Sequence, residues 1–125
     1  MRYLGIDYGL KETGLALGDE ETKMTFPIEQ VDAGRALARI AQIIEADSID
    51  ALVVGMPYGS SGEIGKQGEV TQKFVESLRQ FAIPVHVVTE RHTTQESRRL
   101  QEETGTREGK DALAAMLILQ EFFSQ

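Results

Sequence analysis

Three acidic residues occupy positions at which a carboxylate could do chemistry. Asp7 interrupts an apolar opening strand, Glu90 stands at the carboxyl end of another apolar strand, and Asp111 lies in the first turn of a strongly apolar last helix. A charge in a strand core is costly unless it is paired or binds a metal. Three carboxylates suit Mg²⁺ or Mn²⁺, which prefer hard oxygen ligands. Two such ions about 4 Å apart would activate a water and stabilise the leaving oxygen in phosphodiester cleavage.

Each of these carboxylates also has a structural alternative. Asp7 could accept hydrogen bonds from the amides of the turn that follows it. Glu90 could pair with the arginines at 91 or 98 on the surface. Asp111 could simply favour the start of a helix through the helix macrodipole. The residue types and their spacing leave both interpretations open.

Hydrophobic periodicity predicts the elements that must position the three acids. Strands are predicted over residues 2–8, 13–18, 26–31, 51–54 and 84–88, and helices over 33–47, 66–82, 94–104 and 109–123. This order predicts an α/β fold in one domain spanning residues 1–125. Its sheet is mixed and five-stranded, an antiparallel meander of three strands followed by two parallel strands, with flanking helices. If the first, fourth and fifth strands are adjacent and parallel, Asp7 and Glu90 lie at one edge, and the last helix can bring Asp111 there.

Composition narrows the class of protein. The chain has 125 residues, no cysteine and a formal net charge of −7. The absence of cysteine excludes a disulfide framework and a thiolate metal site. No apolar run approaches the roughly 20 residues of a membrane span, so a cytoplasmic protein with no membrane partner is expected. The acidic charge argues against indiscriminate binding to nucleic acid, although a local basic patch remains compatible with it.

Five basic residues are candidate contacts to phosphate. Lys11 follows the Asp7 strand, Arg91 follows Glu90, Arg98 and Arg99 lie on the polar helix predicted over 94–104, and Lys110 precedes Asp111. If that polar helix faces a cleft that holds the three acids, its arginines are the best candidates for contacts to phosphate. The alternative is a solvated helix whose arginines pair with neighbouring glutamates, and a turn lysine that is simply hydrated.

Four motifs carry a resemblance to a known family. They are LGIDYGLKETGLA (4–16), VVGMP (53–57), ERHTT (90–94) and KDALAAMLILQ (110–120). In this order they resemble the YqgF/RuvX family of Holliday junction resolvases, also described as pre-16S ribosomal RNA nucleases, which have an RNase H-like fold. The resemblance implies Asp7, Glu90 and Asp111 as the catalytic, metal-binding acids. It also implies Mg²⁺ or Mn²⁺ as cofactor and a nucleic-acid substrate, with ribosome-assembly or transcription-machinery proteins as candidate partners.

The chain departs from the family pattern at a few positions. Thr89 stands where an acid is usual, His92 where leucine is common, and Glu12 where a basic residue follows Lys11. The three acids themselves are retained. The departures and the acidic charge bear on how the chain binds its substrate.

Several functions are compatible with these observations. The leading hypothesis is a metal-dependent nuclease that hydrolyses phosphodiester bonds in structured nucleic acid, with RNA favoured over DNA and the 5′ end of pre-16S rRNA as the target in ribosome biogenesis. The alternatives are a Holliday junction resolvase and a non-catalytic RNA- or protein-binding module that keeps the RNase H-like fold. A nucleotide-binding protein of the actin-like type would need two such domains, and this chain supplies one.

Overall fold

The computed structural model describes residues 1–57, 65–90 and 109–125. The described strands are β1 (Arg2–Tyr8), β2 (Glu12–Asp19), β3 (Thr25–Asp32), β4 (Ala51–Pro57) and β5 (Val85–Glu90). The described α-helices are α1 (Ala36–Ala46), α2 (Lys66–Leu78) and α3 (Lys110–Phe123). The helix predicted over 94–104 lies outside the described residues.

The five strands form one mixed sheet in the order β3-β2-β1-β4-β5. β1 pairs antiparallel with β2, and β2 with β3, whereas β4 is parallel to both β1 and β5. β4 follows α1 and β5 follows α2, as expected of the crossover connections between parallel strands. The predicted meander and the adjacency of the first, fourth and fifth strands are therefore confirmed.

The sheet separates two apolar layers because alternate side chains of a strand point to opposite faces. On one face, Leu4 and Ile6 pack in a cluster with residues of α1 and α2. On the other, Tyr3 and Val53 pack with Ala115 and the rest of the apolar stripe of α3. Within the described helices, none is long and apolar enough to cross a membrane.

Tyr8 illustrates how alternation assigns neighbouring residues to different faces. The sequence places it opposite Asp7 and therefore in the core. In the structure its ring stacks on Phe74 of α2, with centroids 4.0 Å apart and an interplanar angle of 12°. The core assignment is confirmed.

Element ends differ from the predictions where tertiary contacts decide them. β4 runs on to Pro57 and β5 to Glu90, because the two strands continue to pair with each other past their apolar runs. The helix predicted from residue 33 begins as a 3-10 turn over Ala33–Arg35. Helical spacing of Leu37, Ile40, Ala41 and Ile44 predicts that these residues form the buried stripe of α1. In the structure Ala41 is exposed, whereas Ile43 is buried. The larger isoleucine removes more apolar surface from water than alanine does, so it takes the inward position.

Two glycines let α3 approach the sheet closely. A Cβ on Gly5 would lie 2.6 Å from Leu119 Cγ and 2.7 Å from the Ala115 carbonyl oxygen. A Cβ on Gly14 would overlap the carbonyl oxygen of Asp111. Any side chain at these positions would displace the helix. The first turn of α3 is thus pressed onto β2.

Candidate metal site

The site is built on a row of residues that crosses three strands. Asp7 of β1 pairs with Gly14 of β2, and Gly14 pairs with Gln30 of β3. Asp7 alternates with Tyr3 and Gly5, so its side chain belongs to the face covered by α3. It is partly buried there, near the carboxyl end of β1. The row forms the floor on which the first turn of α3 rests.

Asp111 is brought to Asp7 by the packing of α3. Its carbonyl group lies directly over Gly14, the cross-strand partner of Asp7. The helix is preceded by Gly109, whose φ of 92° is a backbone conformation that favours glycine. This residue also packs against the side chain of Gln30, which a Cβ would overlap. Both contacts fix where the helix begins and hence where the Asp111 carboxyl lies.

The two carboxylates interact electrostatically. Burial raises the pKa of Asp111 to about 6, and the negative charge of Asp7 is the second cause. Lys110 lowers this pKa, whereas the charge of Glu12 and a hydrogen bond to it raise it further. Like charges held together in this way favour a proton or a cation between them. The pair therefore has the electrostatic character of a cation site.

This pKa predicts how the stability of the metal-free protein depends on pH. The pKa of Asp111 in the fold is about 6, above that of an unfolded chain, so its stabilising contribution is complete below about pH 4 and is lost as the pH rises through 6. Asp111→Asn resembles the protonated acid at every pH. In EDTA it should be more stable than wild type at pH 7.5, and equally stable at pH 4. Because the side chain is partly exposed, the gain should be on the order of 1 kcal/mol.

Urea denaturation of both proteins at the two pH values measures this difference. Asp47→Asn, at the far end of α1, is the matched control and should show the same pH dependence as wild type. An Asp111→Asn variant no more stable than wild type at pH 7.5 would contradict the raised pKa.

The backbone of Glu90 lies at the same end of the sheet as Asp7. Glu90 is the last residue of β5 and pairs with Pro57 of β4, the strand next to β1. Its side chain lies outside the described part of the structure. Among the residues that the structure describes, no group of three acids or histidines is arranged to hold a metal. The structure thus brings Asp7 and Asp111 to the same end of the sheet, and the metal-binding role of all three acids stays a prediction.

The structure describes two of the five residues that are predicted to contact phosphate. Lys11 is exposed in the turn between β1 and β2, and Lys110 is exposed at the start of α3 beside Asp111. Arg91, Arg98 and Arg99 lie outside the described residues. The two lysines are therefore free to meet a polyanion from solvent, and their role remains a prediction.

Two polar residues beside the start of α3 are not among the predicted site residues. In the sequence, Glu12 is distinguished only by its departure from the family pattern, and Gln30 has no distinguishing feature. In the structure, Gln30 Nε2 donates a hydrogen bond of 2.6 Å to Glu12 Oε2. The alternation of Glu12 with Gly14 along β2 is a signal that could have placed Glu12 on the α3 face. Gln30 could be found only from the pairing register of β3.

The sheet order and the helices on both faces are those of an RNase H-like fold. Solved structures support the fold. RuvC of T. thermophilus, in complex with a Holliday junction substrate, has a TM-score of 0.65 at 17% identity, covering 98% of this chain and 94% of that one. The fowlpox virus Holliday junction resolvase has a TM-score of 0.63 at 14% identity, covering 99% of each chain. At these identities the likeness concerns the fold alone.

Sequence comparison shows the particular family. All of residues 1–125 match the RuvX family, described as Holliday junction resolvase, and the chain belongs to that family. A relative from Desulforudis audaxviator is 35% identical over 133 residues, and the match covers 99% of this chain and 94% of the relative's length. Another, from Bacillus licheniformis, is 34% identical over 131 residues, covering 96% and 94%. Both are named "Putative pre-16S rRNA nuclease".

Proposed function

We propose that this chain is a divalent-metal-dependent nuclease that hydrolyses phosphodiester bonds in structured RNA, with the 5′ end of pre-16S rRNA as its target. The observation that carries the proposal is the meeting of Asp7 and Asp111 at the carboxyl end of β1, where the first turn of α3 lies over Gly14 and the charge of Asp7 helps to raise the pKa of Asp111. The names of the relatives support the choice of RNA. The single domain of residues 1–125 would act in the cytoplasm, where ribosome-assembly and transcription proteins are candidate partners.

The donor set fits a hard divalent cation. Two carboxylates that repel each other in a partly buried site favour Mg²⁺ or Mn²⁺ over a neutral ligand. Asp7 and Asp111 would hold the ion, and Glu90 would join them from the end of β5. When bound, such an ion supplies the Lewis acid that activates a water and stabilises the leaving oxygen.

The remaining candidate residues act on the substrate. Lys11 and Lys110 flank the acidic pair on exposed positions, from which their ammonium groups can contact phosphates on either side of the scissile bond. Arg91, Arg98 and Arg99 would extend this contact. Because the chain as a whole carries a charge of −7, binding depends on this local patch and should weaken steeply with salt.

Metal binding should be visible as stabilisation. A saturating concentration of Mn²⁺, at 100 times its Kd, stabilises a folded protein by about 2.7 kcal/mol. We expect the melting temperature of wild type to rise by several degrees at pH 7.5. At pH 5 the rise should be smaller because Asp111, with a pKa of about 6, is then mostly protonated. Asp7→Asn should abolish most of the rise, whereas Asp47→Asn should retain it. An equal rise in Asp7→Asn and wild type would contradict the proposed site.

Substrate choice tests the function directly. Purified protein in Mn²⁺ would be incubated with a short structured RNA carrying the mature 5′ end of 16S rRNA and its precursor extension, and with a four-way DNA junction. Cleavage of the RNA near the mature end supports the proposal. Cleavage of neither substrate, by a protein shown to be folded, would instead support a non-catalytic RNA- or protein-binding module.

A Holliday junction resolvase is the second candidate, because the family to which the chain belongs carries that description. A resolvase would cut the four-way junction at symmetric positions and leave the RNA intact. Such a result would identify a DNA junction as the substrate, and the same acids would still be the proposed metal ligands. The same assay therefore distinguishes the two candidates.

A further inference from the structure

We propose that Glu12, itself held by Gln30, is a positioning residue that holds the first turn of α3 so that the Asp111 carboxyl faces Asp7. The inference deepens the proposed function and rests on it for the metal. It concerns a residue at which this chain departs from the pattern of the family. It is carried by the packing of α3 on three adjacent strands.

The geometry begins with the row Asp7, Gly14 and Gln30, which are paired across β1, β2 and β3. The first turn of α3 lies on this row at two points. The Asp111 carbonyl group contacts Gly14, and Gly109 contacts the Gln30 side chain. The contact at Gly109 is made by the Gln30 side chain, so whatever holds that side chain in place also bears on where α3 begins.

Glu12 lies where it can hold the Gln30 side chain in place. It precedes Gly14 by two residues on β2 and therefore points to the same face of the sheet. Its Oε2 accepts a 2.6 Å hydrogen bond from Gln30 Nε2. The Gln30 side chain in turn lies against Gly109. Through Gln30, Glu12 thus supports Gly109, the residue from which α3 begins.

The arrangement favours positioning over ligation. Asp7, Glu12 and Asp111 do not form a group able to hold a metal within the described residues. An added negative charge beside two carboxylates also raises the cost of charging Asp111, so electrostatics alone would not favour it. The contribution expected of Glu12 is a fixed position for the start of α3. Residues that orient metal ligands typically contribute about 10–100-fold to metal affinity or activity.

The experiment compares Glu12→Ala, Glu12→Gln and the control Glu21→Gln, an exposed glutamate in the turn between β2 and β3. A glutamine at position 12 can still accept a hydrogen bond from Gln30 Nε2 through its side-chain oxygen, whereas alanine cannot. For each variant, we would measure the Mn²⁺ dissociation constant, kcat and KM. We would also measure hydrogen exchange of the Leu113 amide, which donates to the Gly109 carbonyl at 3.2 Å in the first turn of α3.

Glu12→Ala is expected to raise the Mn²⁺ dissociation constant about tenfold, to lower kcat by a similar factor and to speed Leu113 exchange. Glu12→Gln should stay within about threefold of wild type in each quantity, and Glu21→Gln should match wild type. Equal losses in both Glu12 variants would overturn the inference, because the carboxylate would then be a ligand. Unchanged or tighter Mn²⁺ binding in Glu12→Ala would also overturn it.

Failure of the proposed function would look different. If wild type bound no Mn²⁺, the metal-dependent nuclease would be wrong. The exchange of the Leu113 amide would still decide whether Glu12 holds the start of α3, because that measurement needs no metal. Faster exchange in Glu12→Ala alone would retain the positioning role, and equal exchange in all the proteins would refute it.

Discussion

Asp7→Asn is expected to lower the rate of phosphodiester cleavage on the order of 10³-fold, about 4 kcal/mol in the activation barrier. Asp7 is one of the two carboxylates that the described structure brings together at the carboxyl end of β1. An amide keeps the shape of the side chain but removes the charge that would hold a divalent cation. Single-turnover cleavage of the labelled precursor RNA at saturating Mn²⁺ measures the effect.

The fold of the Asp7→Asn variant should be intact. Removing one of two repelling carboxylates relieves a charge interaction that raises the pKa of Asp111, so this pKa should fall towards its ordinary value. The melting temperature in EDTA at pH 7.5 should therefore be no lower than that of wild type. Asp47→Asn, made at the opposite end of the sheet, should cleave at the wild-type rate. Full activity in a folded Asp7→Asn variant would remove Asp7 from the site.

Gly14→Ala should combine a loss of stability with a loss of activity. The new Cβ would overlap the carbonyl oxygen of Asp111, which is backbone and cannot rotate away. The helix must then move outwards or the strand must bend, at a cost of about 3 kcal/mol. The same movement separates Asp111 from Asp7, so cleavage should fall at least about tenfold even where the variant remains folded.

The matched control for this change is Gly34→Ala. A Cβ on Gly34 would meet nothing within 4 Å, so its effect on the free energy of unfolding should stay within about 0.5 kcal/mol. Urea denaturation gives the stabilities, and Mn²⁺ titration at 10 °C tests the site in molecules that are still folded. A Gly14→Ala protein with wild-type stability and metal affinity would show that α3 does not lie against β2 as described.

Several features of the fold could be predicted from the sequence because they depend on neighbouring residues. Alternation along β1 separates Asp7 from Tyr8, and the structure places Tyr8 in the core against Phe74. Apolar periodicity predicts α3 over 109–123, and the helix spans Lys110–Phe123. The sequence order of strands and helices, with the preference for right-handed crossovers, is enough to predict the mixed sheet.

Other features depend on contacts between residues distant in the chain. The pairing of β2 with β3 contains an irregularity between Leu15 and Ala16, so the partner of Gly14 does not follow from counting residues back from the turn. The extension of β5 to Glu90 likewise depends on its pairing with β4. Local propensity carries no information about either, because a strand residue gains its hydrogen bonds from a partner that the local sequence does not specify.

The sequence by itself determined the two acids and the elements that carry them: Asp7 on an opening strand and Asp111 at the start of an apolar helix. Only the tertiary structure decided that they meet. Their approach depends on the seating of α3 over Gly14, where the absence of a side chain admits the Asp111 backbone. The tertiary structure also decided that Glu12 and Gln30 lie beside the first turn of α3. The physical reason is that periodicity specifies which face of an element is buried, whereas close packing specifies the neighbour that it meets.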